Sequence, residues 1–300
     1  MNKERRVIAL GFFDGVHLGH GALLQRVAEV AHEMDAVPSA VTFDTHPDHL
    51  VRGEDVALIN SAADRAELIR NTYGIRDVII AHFDERMMKM PWEDFITEYL
   101  IKEHGAVHLV AGHDFHFGYM GRGNPERLQN KCAELGIGCD IINKVEKDGI
   151  TISSTYIRSL IKQGEMERAA EFLGHPHILT DTVSHGKKLG STLGFPTVNL
   201  RFQPGVIVPS HGVYATEVIL PDGSVYPAVT NVGVRPTVDR NGDVTVESWL
   251  LNGFSGDLYG QRVQVEFYRK LRGEKRFNTV EQLREEVDRN ARQTLEYFKK

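Results

Sequence analysis

An apolar run, Val7-Ile8-Ala9-Leu10, leads straight into Gly11-Phe12-Phe13-Asp14-Gly15-Val16-His17-Leu18-Gly19-His20 and then into residues at helical spacing. Strand, glycine-rich turn and helix start in that order leave few folds open. Gly11, Gly15 and Gly19 permit positive φ and close backbone approach to a ligand, and His17 and His20, three apart, share one side of a first helical turn. A helix N-terminus carries unpaired N–H donors and partial positive charge, so phosphate is the ligand this geometry suits. Leu23, Leu24, Val27, Val30, Ala31 and Met34 continue as an apolar helical face, and residues 36–43 read as the next strand, completing a right-handed βαβ unit.

Three readings of the stretch stand side by side. It can be an ordinary βα turn with two surface histidines, a metal site built from Asp14, His17 and His20, or a nucleotidyl-transfer element. H-x-G-H directly after a strand resembles the ATP-binding element of the nucleotidylyltransferase superfamily.

The alternation continues. Ser61-x-x-Asp64 is a capping box opening a helix that runs to Tyr73, residues 78–80 are a strand, 92–103 a helix, 107–111 a strand, Pro125–Leu135 a helix and 139–145 a strand. Regular alternation implies a doubly wound, Rossmann-like α/β domain whose ligands sit at the carboxyl ends of the strands. On that rim lie His46-Pro47 and Gly112-His113-Asp114-Phe115-His116-Phe117-Gly118. The aromatics around Asp114 read either as core under the turn or as a stacking site for a planar ligand. Ile152-Ser153-Ser154-Thr155-Tyr156-Ile157-Arg158 reads either as a helix N-cap or, given Arg158, as a phosphate grip.

Charge narrows the partners. With 35 basic and 41 acidic residues the 300-residue chain carries a formal charge of −6, and no run of Lys or Arg suggests a nucleic-acid surface. An anionic ligand must therefore be held locally, by helix N-termini, one or two basic side chains and Mg²⁺. Cys132 and Cys139, the only cysteines, form no C-x-x-C pair and read as inert thiols of a reducing compartment. The apolar stretch after the first residues is too short for a signal or a membrane span, and a cytoplasmic location is expected.

After helix Met166–Leu173 the composition changes from helices to strands: 177–183, 213–219, 225–232, 244–251 and 262–268, with turns such as Pro221-Asp222-Gly223. Helix Val280–Phe298 closes the chain, with Leu283, Val287, Ala291, Leu295 and Phe298 on one face. Short strands and one closing helix suggest a small antiparallel β-barrel. The boundary is placed near Gly174, giving domains 1–173 and 174–300. Gly186-Lys187-Lys188-Leu189-Gly190 does not fit a Walker A loop, and Glu247, in an alternating strand, is by pattern alone an exposed-face glutamate.

Taken in order, G-F-F-D-G-V-H-L-G-H, T-F-D-T-H-P, G-H-D-F-H-F-G and I-S-S-T-Y-I-R resemble the FMN adenylyltransferase module of prokaryotic bifunctional riboflavin kinase/FAD synthetases. Gly194-Phe195-Pro196-Thr197-x-Asn199 resembles the G-F-P-T-x-N of the riboflavin kinase module, as do Gly212-Val213-Tyr214-Ala215, Asn231 to Thr237, Asp257-Leu258-Tyr259-Gly260 and Leu271-Arg272-x-Glu274. The resemblance implies ATP contacts at Gly11, Phe12, Asp14, Gly15, His17, His20, Ser154 and Arg158, with His17, His20 and Arg158 stabilising the transition state. It implies flavin contacts at His46, Pro47, Asp114, Phe115 and Phe117. In the second half it implies ATP contacts at Gly186, Lys187, Gly194, Pro196, Thr197 and Asn199, Mg²⁺ on Thr197 and Asn199, Glu247 as proton acceptor, and Glu247 and Arg272 at the flavin. The expected substrates are riboflavin, FMN and ATP and the expected product FAD. A chain retaining one activity, or a non-catalytic flavin sensor, are the rival readings. Ser191 stands where the family usually has Arg, His175 and His177 where it has Arg and Tyr, and Asp44-Thr45 where Glu-Pro is common.

Overall fold

The computed structural model describes residues 4–53, 55–184, 197–234, 244–254 and 256–299. The chain divides into two compact units, Met1–Ser154 and Thr155–Lys300.

In the first unit β1 (Arg6–Leu10), β2 (Val37–Phe43), β3 (Asp77–Ala81), β4 (Ala106–Gly112) and β5 (Gly138–Ile142) form one sheet in the order β3-β2-β1-β4-β5, every pair parallel. A central strand covered on both faces must be apolar throughout, and β1 is buried at all positions after Arg6. Val7 and Ala9 pack with helices Leu18–Glu33 and Ala62–Tyr73 on one face. Ile8 and Leu10 pack with Phe95, Ile96, Leu100, Leu128 and Cys132 on the other. The sheet is therefore doubly wound as expected, and its order reverses between β1 and β4, the switch point at whose carboxyl ends such sheets take their ligands. Ser61 caps its helix as the sequence indicates, its Oγ accepting from Asp64 N at 3.1 Å.

Two local departures have clear causes. The expected strand 139–145 stops at Ile142, because Asp148 (φ 53°) and Gly149 (φ 72°) make a tight turn between β6 (Glu146–Lys147) and β7 (Ile150–Thr151) that needs its own flanking residues. The helix from Trp92 turns after Asp94 into a π-helix, Phe95–Glu103, with Phe95 and Tyr99 stacked at 5.6 Å.

The second unit is antiparallel. Helices Ser154–Gln163 and Met166–Leu173 lead into β8 (His177–Thr182), β9 (Thr197–Leu200), β10 (Gly212–Ile219), β11 (Val225–Val234), β12 (Val244–Leu250) and β13 (Arg262–Arg272), ordered β8-β13-β10-β11-β12-β9. Just past β8, Ser184 bridges to Asn199 of β9, so the two edges meet and the sheet closes on itself. Val198, Leu200, Tyr214, Val232, Val246, Val265 and Phe267 fill the interior. A hydroxyl chain crosses it, Thr216 to Thr230 at 2.6 Å and Thr230 to Ser248 at 2.8 Å, each hydroxyl satisfied by its neighbour.

Residues 197–200, absent from the expected strands, form a strand, since Val198 and Leu200 alternate inward while Thr197 and Asn199 face out. Helix Val280–Phe298 has the expected limits, and its expected face is met in part: Ala291 is buried with Leu295 packed beside it, while Leu283, Val287 and Phe298 are half-buried. Glu286, Asn290, Ala291 and Thr294 are the buried positions, because the sheet surface beneath supplies Arg272, which pairs with Glu286 at 3.3 Å, beside an apolar patch at Val213 and Val229.

Candidate active sites

The turn after β1 is held in an uncommon backbone. Phe13 (φ 57°), Gly15 (φ 81°) and Val16 (φ 44°) are left-handed, so two of the three strained positions are not glycine. Left-handed non-glycine residues cost about 1–3 kcal/mol each and persist where the surroundings enforce them. Gly11 and Gly19 serve close approach instead. A Cβ on Gly11 would lie 3.0 Å from the Phe13 ring, and one on Gly19 would lie 3.1 Å from the His17 ring. His17 caps helix Leu18–Glu33: its Nδ1 accepts from His20 N at 3.2 Å, which puts the ring proton on Nε2. The His17 and His20 rings stack at 3.6 Å and 11°. Burial, then His17, then Arg65 hold the His20 imidazole well below its ordinary range, so it is neutral near pH 7.

The other expected residues are placed by their own contacts. Ser154 Oγ donates to Asp14 O at 2.9 Å, joining motifs 140 residues apart. The buried Asp14 carboxylate accepts from Ile59 N at 2.8 Å. That inward turn, with the His17 Nδ1 already occupied, leaves Asp14, His17 and His20 unconverged as metal ligands. Phe12 lies edge-on to His46 at 4.7 Å, and Thr42 Oγ1 donates to Phe12 O at 2.7 Å. Pro47 begins helix Pro47–Arg52, which His46 caps. Beyond β4, Asp114 is exposed, while Phe115 and Phe117 stack at 5.4 Å and Phe117 is buried against Phe95. Arg158 lies one turn beyond Ser154 on its helix, in the second unit.

On the barrel, the ladder register assembles the other site. Asn199, Glu247 and Asn231 are directly paired across β9, β12 and β11, so their side chains share the outer face, and Thr197 is two residues from Asn199 on that face. The Asn199 Oδ1 is buried with no partner among the described residues. An orphaned amide oxygen beside a threonine hydroxyl and a carboxylate is a donor set of hard oxygens, which fits Mg²⁺. Thr197 also lines a cavity of about 370 Å³ with Val183, Leu250, Phe254, Asp257 and Tyr259. A Cβ on Gly233 would come within 2.6 Å of Glu274 Oε1, so glycine there admits that carboxylate beside Asn231. Arg272 is half-buried and paired with Glu286. Gly186, Lys187, Ser191, Gly194 and Pro196 lie outside the described residues.

Family models place both halves. The one described as FAD synthetase matches residues 1–156 and the one described as riboflavin kinase matches 173–298. The chain belongs to the bifunctional riboflavin kinase/FMN adenylyltransferase family. A family member from Bacillus subtilis is 33% identical over 99% of this chain and 93% of its own, and one from Pseudomonas fluorescens is 36% identical over 94% and 89%. The Escherichia coli K12 family member is 32% identical over 99% and 94%. A crystal structure described as a macrolide-efflux protein from Streptococcus pneumoniae aligns over 98% of this chain and 94% of its own, at 28% identity and a TM-score of 0.84. Efflux is that protein's description; among the described residues of this family member no helix is long and apolar enough to cross a membrane.

Missed by the sequence reading were Arg65 and Asn60 at the first site and the placing of Asn231 and Glu274 at the second. Arg65 is the fourth residue of a capped helix and patterns as surface; only the fold shows it fully buried. Asn231 could have been found by pairing the alternating strands.

Proposed function

We propose that the chain makes flavin nucleotides in two phosphoryl-group reactions, phosphorylating riboflavin to FMN on the barrel and adenylylating FMN to FAD, with release of pyrophosphate, on the α/β unit. The observation that carries this is the match of both family models, end to end, to a chain whose two units each present a polar face of matching chemistry. Both reactions are in-line attacks on phosphorus by an oxygen already on the flavin, so positioning and charge neutralisation supply most of the rate. Glu247 accepts the proton of the riboflavin 5′-hydroxyl as it attacks the γ-phosphorus of ATP. Thr197 and Asn199 hold Mg²⁺, which neutralises phosphate charge when bound. At the other site the FMN phosphate is already ionised and needs no base. His17, through Nε2–H, and His20 donate to the triphosphate, while Ser154, Arg158 and the helix N-terminus hold it. Asp114, Phe115, Phe117, His46 and Pro47 receive the flavin. A cytoplasmic location suits an enzyme consuming ATP.

Incubating the purified protein with riboflavin, ATP and Mg²⁺ and separating the flavins by chromatography tests the reading. FMN followed by FAD is expected, and neither should form with chelator present. FMN alone, FAD only from added FMN, or no product would each remove one or both assignments.

A further inference from the structure

Arg65 is the largest fully buried side chain among the described residues, at 0% exposure, and it lies at the carboxyl edge of the first sheet. Its Nη2 donates to the carbonyl of Phe43, the last residue of β2, and its guanidinium sits 4.3 Å from the centre of the Phe12 ring. Its Nε and Nη1 have no hydrogen-bond partner among the described residues, nor has either amide atom of the buried Asn60. Asn60 and Arg65 are the residues before the Ser61 cap and at the fourth helical position, the two places that staple a helix start to what precedes it. Such staples are ordinarily apolar. A cation buried with most of its donors unsatisfied is expensive, and a hydrophobic side chain of similar volume would usually stabilise the fold as well or better. Charge retained there serves something other than packing.

We propose that Arg65 is a positioning residue of the FMN-adenylylating centre: from beneath the glycine-rich turn it fixes Phe12 against the end of β2 and supplies the fixed positive charge behind the His17–His20 pair. Its surroundings define what that charge does. Asp14 on the turn and Asp44 beyond β2 favour the charged form, and burial brings it down only to about 10, so Arg65 is charged at every pH the enzyme meets. Asp44 is paired in turn with His82 beyond β3, at 2.5 Å. Facing His20 are His17, stacked on it, the edge of Phe13 at 5.2 Å, and the Arg65 charge. Arg65 therefore helps keep His20 an uncharged donor, while Phe12 is held between Arg65 and His46 for the nucleotide or flavin that meets it.

The inference rests on the reading of His17 and His20 as triphosphate ligands, and the variants separate the two. In R65M, kcat for FMN to FAD should fall about 10- to 100-fold, less than the roughly 10²- to 10³-fold of a donor that touches the transition state, because Arg65 acts through its neighbours. KM for ATP should change less. The acid limb of the kcat–pH profile should move to higher pH, because His20 protonates more readily once the neighbouring cation is gone. Riboflavin to FMN, in the same molecules, should stay within about twofold and so reports that the protein is intact. R65K keeps the charge without the planar stack, and should keep the acid limb in its original place with a smaller loss of kcat. Unchanged FAD formation in R65M, a loss with an unmoved acid limb, or an R65K limb displaced like that of R65M would each overturn the proposal. Where R65M does not accumulate as folded protein, the R65K limb alone decides it. H20A retaining FAD formation would instead remove the reading of the histidines on which the proposal stands.

Discussion

The proposed function rests the chemistry of each half on single side chains, so single substitutions should divide it. E247Q keeps the shape of the barrel face next to Asn199 and Asn231 but removes the proposed proton acceptor, and FMN formation should fall about two to four orders of magnitude while added FMN is still converted to FAD. H20A should do the reverse, with a loss of about two to three orders of magnitude in FAD formation. Mixed, the two variants should restore riboflavin-to-FAD conversion, which flavin chromatography would read directly. His177 offers a stability test. It is 1% exposed among Phe202 and Phe267, neither ring nitrogen has a hydrogen-bond partner among the described residues, and burial, with His175, pushes its pKa down to about 3. The unfolded chain takes up that proton near pH 6.5 and the folded one does not, so stability is complete above pH 6.5 and declines as pH falls toward 3, by about 2 kcal/mol at pH 5. H177F should stabilise the protein by about 1–3 kcal/mol at pH 7.5. It should also remove this component of the acid loss, and thermal melts of both proteins at pH 7.5 and 5 check each part. Residue types at motif positions were legible beforehand; burial was not, and neither Arg65 nor His177 announces itself in one dimension, because each is a polar residue enclosed by segments far away in sequence.

Elements bounded by caps and turn residues were the most legible. Ser61 with Asp64 marks a helix start whose chemistry is local, and the structure keeps it, as it keeps the expected limits Tyr73 and Pro125–Leu135. The Asp148-Gly149 turn was equally local and went unread because β6 and β7 are only two residues each. β9 was hidden for the opposite reason: its strand character comes from pairing with β12, not from its own composition. The buried polar stripe of helix Val280–Phe298 likewise depends on Arg272 in another strand. The loop after β4 shows how tightly an element can be fitted. Gly118 has φ 70°, and a Cβ there would stand 2.5 Å from the Trp92 Cα. G118A should therefore destabilise the first unit by about 1–3 kcal/mol and displace the loop that carries Phe115 and Phe117. The expected signature is a raised KM for FMN in FAD formation with riboflavin phosphorylation unchanged; an unaltered KM would show that the loop does not hold the flavin.

At the scale of the whole chain, the change from βα alternation to short strands was visible, but where one half stops cooperating with the other is a matter of packing. Met166, in the helix before Gly174, is 1% exposed within the barrel's own core. A barrel fragment starting at Gly174 lacks that side chain, and deleting a buried methionine side chain costs about 2–5 kcal/mol. A fragment starting at Thr155 should melt at a clearly higher temperature than one starting at Gly174, and equal melting temperatures would place the boundary at Gly174 after all. The first unit is organised by a strand order that turns about β1, whereas the second is closed at its two edges by Ser184 and Asn199. The main chain of Asn199 accepts from Ser184 N at 3.0 Å, while its side-chain oxygen has no partner among the described residues. One residue is thus both hasp and handle: with Asn199 in its proposed role, a nucleotide and its metal that take hold of the amide should steady a seam already closed, and slower deuterium uptake at the Ser184 amide is the expected sign of occupancy.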